Sequence, residues 1–201
     1  MNGWRRFRAG FAVIGLAACL MAGRAVADTQ SGSGVYRLEV VIDAPAEFIY
    51  PYLIEEDKTT RWNQDDSVKV TFPRGLEPRI GKQVRVVMDA PTHPWMLMEI
   101  DRLEPGREVT TKFVDGVLGG SFSYFLEPTD GGRTRLVHEM SIRPKGALTT
   151  LVWEVFGKQL HRKKMRGFLG RIKTVVEADW KNNPANSPLA APDGSAAKTV
   201  D

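Results

Sequence analysis

Side chains able to move a proton or hold a metal are few in this 201-residue chain, which has three histidines and one cysteine. His93 lies in Ala90-Pro91-Thr92-His93-Pro94, a loop by composition, and His161 lies in the basic run His161-Arg162-Lys163-Lys164. No group with metal-ligand spacing results, and no metal or cofactor is implied. His138 differs, because it falls in an alternating stretch, Arg133 to Ile142. Period-2 facing puts Leu136, His138, Met140 and Ile142 on one side and Arg133, Arg135, Glu139 and Arg143 mostly on the other. An inward histidine reads first as a hydrogen-bonded core group. It reads next as a group that orients a ligand, and last as a proton shuttle, for which no partner stands at fixed spacing. Glu99 and Asp101 share a strand face, a spacing that permits acid–base work. They face away from Met96 and Met98, which points to a solvated pair. The nucleophile-elbow, P-loop, HExxH and GxGxxG patterns are all absent.

Around His138 the same alternation gathers candidates for a binding surface. Phe122, Tyr124 and Leu126 share one face of a strand, and Met96, Met98 and Ile100 share one of another. A β-bulge would shift either facing by one residue. Thioethers at Met88, Met96, Met98 and Met140 suit an adaptable apolar pocket, or equally fill gaps in a core. Tyr124 offers a hydroxyl to a ligand's polar end. Trp153 adds an aromatic ring from the far end of the chain.

The elements that position these residues read as short strands closed by one long helix. Val35 to Ile42 alternates and is β-branched. Asp43 as N-cap and Pro45 in the first turn open a short helix through Ile54, which Pro51 bends, and Glu55 to Trp62 forms a second. Strands follow over 67–72, 83–88, 95–103, 108–114, 121–127 and 133–142. Pro105-Gly106, Gly119-Gly120 and the hairpin turn Pro128 to Gly132 separate them. Hairpin-length connections make the sheet antiparallel, and a helix on one face makes the fold α+β. The final helix, Gly146 to Asp179, lacks proline and carries two apolar stripes. Leu148, Leu151, Val152, Val155, Phe156 and Leu160 face about 140° away from Met165, Phe168, Leu169, Ile172, Val175 and Val176 at ~100° per residue. Either the helix bends near Gly157, its first segment a lid and its second a strut, or its first turns bury two sides.

Residues 1–27 have a basic start, an apolar run too short to span a bilayer comfortably, and Ala25-Val26-Ala27 at the end. They read as a secretory signal cleaved after Ala27, which places the protein in the periplasm. The alternative is a lipobox, Leu16-Ala17-Ala18-Cys19, making Cys19 the anchor of a membrane-bound lipoprotein. Of 28 basic residues, Arg5, Arg6, Arg8 and Arg24 lie in this segment and none of the 24 acidic ones does. The remainder is therefore neutral, which argues against nucleic acid as a partner. It also has no cysteine for a disulfide or thiolate site. Residues 28–34 read as a linker, 35–180 as one domain and 181–201 as a disordered tail. Lys158, Arg162, Lys163, Lys164, Arg166, Arg171 and Lys173 crowd the final helix. A solvated face is the plain reading. With Trp153 and Phe156 nearby, Lys158, Arg162, Lys163 and Lys164 could instead meet an anionic membrane surface.

Several motifs, in order, carry a family resemblance. They are Ile42-Asp43-Ala44-Pro45-Ala46-Glu47, Trp62, Gly81, Leu103-Glu104-Pro105-Gly106, Tyr124-Phe125-Leu126-Glu127-Pro128 and Gly131-Gly132-Arg133-Thr134-Arg135-Leu136. Over residues 35–180 the chain resembles the SRPBCC superfamily of START-like, Bet v 1-like and polyketide cyclase-like domains. The resemblance implies a helix-grip fold, with a curved antiparallel sheet of about seven strands wrapped around the long C-terminal helix. It also implies a hydrophobic cavity between the two. The expected function is an exported protein that binds a hydrophobic small molecule or lipid and could carry it to or from a membrane, with binding favoured over catalysis. His138, Tyr124, Met140, Phe122, Met98, Met96, Met88 and Trp153 would be its site residues. The alternative is a polyketide cyclase-like enzyme with His138 as proton shuttle.

Overall fold

The computed structural model describes residues 27–30, 35–63, 68–73, 75, 77–89 and 92–183. The expected signal segment up to residue 26, the Cys19 lipobox and most of the expected tail lie outside these residues. Eight strands form one curved antiparallel sheet: β1 (Ala27–Gln30), β2 (Val35–Ile42), β3 (Val68–Thr71), β4 (Gln83–Met88), β5 (Trp95–Glu104), β6 (Glu108–Gly116), β7 (Leu118–Thr129) and β8 (Arg133–Pro144). Their order is β1-β2-β8-β7-β6-β5-β4-β3, so the chain's first long strand pairs with its last. Between β2 and β3 lie α1 (Ala46–Ile49), α2 (Pro51–Ile54) and α3 (Glu56–Asn63). After β8 come α4 (Ala147–Val152), a π turn (Trp153–Gly157) and α5 (Lys158–Lys181).

Strand β1 falls where a linker was expected. It pairs antiparallel with β2, from Ala27 opposite Glu39 to Gln30 opposite Tyr36. Backbone groups alone can build such an edge ladder, so a segment without an alternating pattern can join a sheet. Gly119 and Gly120 do not end a strand as expected but lie within β7. Gly120 has φ +102°, and a Cβ there would stand 1.9 Å from the Ser141 carbonyl oxygen. Glycine lets the two backbones approach and the strand continue. The step into α1 also differs: Pro45, not Asp43, is the N-cap, and no side chain caps the helix. The Pro45 carbonyl accepts from Phe48 and Ile49 N–H, while Asp43 N–H donates to Glu177 Oε1 at 2.8 Å. Pro51 opens a second short helix, where its missing N–H costs nothing.

The core lies at one end of the sheet's inner face. Leu38, Val40 and Ile42 of β2 and Leu136 of β8 meet Leu169, Ile172 and Val176 of α5, with Ile49, Tyr52 and Trp62 closing the side. Polar ties hold α5 there. Lys173 Nζ donates to the Val41 carbonyl at 2.7 Å, Arg171 Nε to that of Trp62 at 2.8 Å, and Tyr52 OH to Asp179 at 2.5 Å. Arg61 also pairs with Asp179. On the outer face, Arg37 bridges Glu139 (2.5 Å) and Glu127 (3.4 Å), and Arg135 reaches Glu127 at 3.3 Å.

The first apolar stripe of the final helix overturns an expectation. Its turns do not bury two sides: α4 and the π turn bury no residue fully. Leu148 is 75% exposed, Phe156 69% and Leu160 58%. The irregularity does fall at Gly157, as a π turn. A π turn adds a residue to one turn and so rotates the side chains beyond it relative to those before. Gly157 is where the Trp153 ring lies, for a Cβ there would stand 2.7 Å from Trp153 Cε3.

Candidate ligand-binding site

Cross-strand partners share a face, so the register orders the inner surface into rows. Nearest the core stand Leu38, opposite His138, and Tyr124, opposite both His138 and Val109. The next row runs from Tyr36 through Met140, Phe122 and Thr111 to Ile100. Beyond it Phe113 meets Met98 and Met98 meets Val84, then Met96 meets Val86, and Met88 pairs with Val68 at the far edge. Seven of the eight residues expected at the site therefore share the concave face. Bulges at Leu97/Met98 and Ile100/Arg102 leave the methionines facing inward. Trp153, the eighth, sits half-buried on the π turn, its ring 5.6 Å from that of His161.

Across these rows the chemistry changes steadily. Leu136 is fully buried, while Phe122, Phe113, Met98, Met96 and Met88 are only half-buried. The principal helix-to-sheet contacts run from α5 to β2, α1 to β7 and α4 to β8. No helix contacts β3–β6 to a comparable extent, so the methionine-rich half of the inner face is uncovered. On the β2–β8 side the sheet is closed. Tyr36, Leu38 and Met140 meet Trp153, Lys158, His161 and Arg162 around a crevice of about 10 Å³. A wider depression of about 500 Å³ lies elsewhere, rimmed by Glu55, Glu56, Asp57 and Glu77. Its acidic rim does not suit an apolar ligand.

His138 corrects the plainest expectation for it. It is 2% exposed, as a core residue should be, but neither ring nitrogen makes a well-aligned hydrogen bond, the Ser123 backbone offering only a weak one. Its ring stacks on Tyr124 at 4.7 Å and tilts against Phe122 at 5.6 Å. Burial chiefly, and His161 secondarily, push its pKa down to about 3 against a smaller upward pull from the Ser123 backbone. The imidazole is therefore neutral near pH 7 and presents one donor and one acceptor. Burial also raises the Tyr124 pKa, and its hydroxyl forms no hydrogen bond among the described residues. Two uncharged polar groups thus lie unpartnered beside an apolar surface. They can hydrogen-bond an uncharged hydroxyl or carbonyl, but a carboxylate would be costly to bury there. As a general base at neutral pH, an imidazole titrating near 3 is poorly matched to the task.

Three groups on this face escaped the sequence reading. Phe113 follows Val109 and Thr111 on the inner face of β6, its ring 6.0 Å from Phe122. Thr111 is 6% exposed between Phe122 and Ile100. His161 looked like one member of a basic run, yet its Nε2 is 2.7 Å from Met140 Sδ, and burial lowers its pKa to about 4. The eight-residue spacing from Trp153 was the only signal, and an extra residue in the π turn obscures it. Glu99 and Asp101 sit together on the outer face, 3.5 and 2.6 Å from Lys112 Nζ. Among the described residues no group of His, Cys, Asp and Glu could hold a metal.

Solved structures with this fold include Zhui aromatase/cyclase from a Streptomyces species, 18% identical with a TM-score of 0.55 over 76% of this chain and 98% of that one. Ara h 8.0201 aligns with a TM-score of 0.54 at 16% identity, over 72% of this chain and 97% of its own. A Rhodobacter sphaeroides protein gives 0.58 at 15%, over 76% and 98%. At these identities the likeness is one of fold. No curated protein matches the sequence. Residues 34–177 match the model of the polyketide cyclase/dehydrase and lipid transport family, and the chain belongs to that family, within the SRPBCC superfamily.

Proposed function

We propose that this protein is an exported carrier that holds a hydrophobic small molecule of lipid character between the concave face of β4–β8 and the start of the final helix, and passes it to or from a membrane. One observation carries the reading. His138 is buried with both ring nitrogens unsatisfied, and the half-buried Tyr124 beside it makes no hydrogen bond among the described residues, next to a half-covered surface of methionine and phenylalanine. Burial of apolar ligand surface, at about 25 cal/mol per Å², supplies the affinity. The His138–Tyr124 pair receives the ligand's single uncharged polar end. Because the crevice on the β2–β8 side is so small, entry is from the β4–β6 side, where no helix covers the sheet. Export rests on residues 1–27, and N-terminal sequencing of the protein from its host checks it. A first residue of Asp28 supports cleavage of a signal; a lipidated Cys19 supports the lipoprotein form.

Native mass spectrometry with solvent extraction of protein from its own compartment tests the carrier. A bound neutral-headed lipid supports it, and an interior that stays empty and refuses added lipid defeats it. The cyclase-like alternative draws on the family and needs His138 to move protons. Equal turnover by wild type and His138→Ala on an aromatic polyketide substrate would remove it.

A further inference from the structure

Six of the eight large hydrophobic side chains exposed among the described residues fall between Leu148 and Leu160. They are Leu148, Leu151, Val152, Val155, Phe156 and Leu160, more than half exposed in every case. Their place on the helix is set by what lies on its other side. Trp153, Lys158, His161 and Arg162 face Tyr36, Leu38 and Met140 of the sheet, so the stripe is turned away from it. Apolar clusters of this kind on an otherwise soluble domain mark a contact surface. From Arg143 to Arg166 there are seven basic residues and one acidic: Arg143, Lys145, Lys158, Arg162, Lys163, Lys164 and Arg166 against Glu154. Glu154 is itself paired with Lys158. Arg143, Lys145, Lys163 and Arg166 are exposed at the two ends of the stripe.

We propose that this stripe docks on an anionic lipid bilayer, its aliphatic and phenylalanine side chains among the acyl chains and its flanking basic groups at the headgroups. The charge pattern selects this occupant over a second copy of the chain, since face-to-face pairing would bring two strongly basic rims together. On its other side the same segment packs Trp153 and His161 against Tyr36, Leu38 and Met140, at the closed β2–β8 end of the concave face. The proposal rests on the carrier reading for its purpose: docking would hold the carrier at the membrane where ligand is exchanged.

The test uses the full chain as Cys19→Ser/Val155→Cys, carrying an environment-sensitive fluorophore at position 155, with circular dichroism to verify the fold. Vesicles of phosphatidylcholine with 30% phosphatidylglycerol, chosen as about the level that builds a surface potential, should shift the emission to the blue. Pure phosphatidylcholine vesicles should not. Adding Lys163→Glu/Arg166→Glu should weaken partitioning by roughly 10-fold or more, as should about 0.5 M salt. No shift, although the protein sediments with vesicles through residues 1–27, overturns the proposal. So does an equal shift with neutral lipid, or a concentration-dependent shift without vesicles, which would identify a second copy. Native mass spectrometry of the same charge-reversed variant separates the two readings. Lost docking with ligand still bound is the expected result of that variant. A wild type that docks but never yields ligand overturns the carrier alone.

Discussion

His138 is the residue on which most turns. A buried imidazole with no partner costs on the order of 1–3 kcal/mol relative to a satisfied one. His138→Leu should therefore leave stability unchanged or raise it by about 1 kcal/mol in urea unfolding, while retention of extracted ligand falls. A satisfied core histidine would give the opposite, a loss of stability. The buried His138 and the half-buried His161 also set an acid limit. Their folded pKa values, about 3 for His138 and about 4 for His161, lie below the ordinary 6.5. Depressed values mean the unfolded chain takes up protons first, so this stability is complete above pH 6.5 and drains away as pH falls toward 4. The slope approaches about 1.4 kcal/mol per pH unit for each histidine. Thermal unfolding between pH 6.5 and 5 should show a falling midpoint in the wild type and roughly half that slope in His138→Leu.

At the scale of elements, two devices keep the sheet and the strut in place. Gly120 lets β7 run against β8 without a break. Gly120→Ala combines a left-handed φ with a Cβ 1.9 Å from the Ser141 carbonyl oxygen, and should cost roughly 2–4 kcal/mol in chemical unfolding. Asp179 gathers Tyr52 and Arg61 at the C-terminal end of α5. The Arg61 guanidinium holds its carboxyl below the usual range, and burial together with Asp179 takes Tyr52 up to about 12. Asp179→Ala should lower stability by about 1–2 kcal/mol, with the loss disappearing once pH falls below the carboxylate's own titration. Local amide exchange would then rise in α3 and the end of α5. The asymmetry of the final helix follows: its second half is bolted to β2 and α3, its first half only leans on the sheet.

For the whole molecule, the proposed carrier would use different halves of one sheet for folding and for binding. The core end, with Leu136, Ile172 and Val176, is closed; the end with Met88, Met96 and Met98 is half-buried. A ligand that binds there stabilises by mass action, about 2.7 kcal/mol at a hundredfold excess over Kd. Delipidated protein should consequently unfold several degrees lower than loaded protein in a thermal scan. Hydrogen exchange should show the added protection in β4–β6 and α4, not in the second half of α5. Uniform protection would place the ligand elsewhere.

Alternation and turn composition carried β2, β4 and the rows around His138, because side-chain period is local and needs no knowledge of the partner strand. They also placed the discontinuity in the final helix at Gly157. The same local rules could not reveal β1, whose pairing is made by backbone alone. Nor could they say that His138 is buried without a partner, since satisfaction depends on atoms brought from β7 and α5. The sequence by itself determined the family, the strand facings and a helix with two disagreeing apolar stripes. Only the tertiary structure decided which stripe the core takes. The strut wins because Leu169, Ile172 and Val176 meet β2 and α1–α3 together, while the stripe from Leu148 to Leu160 is turned outward by the packing of Trp153 and His161.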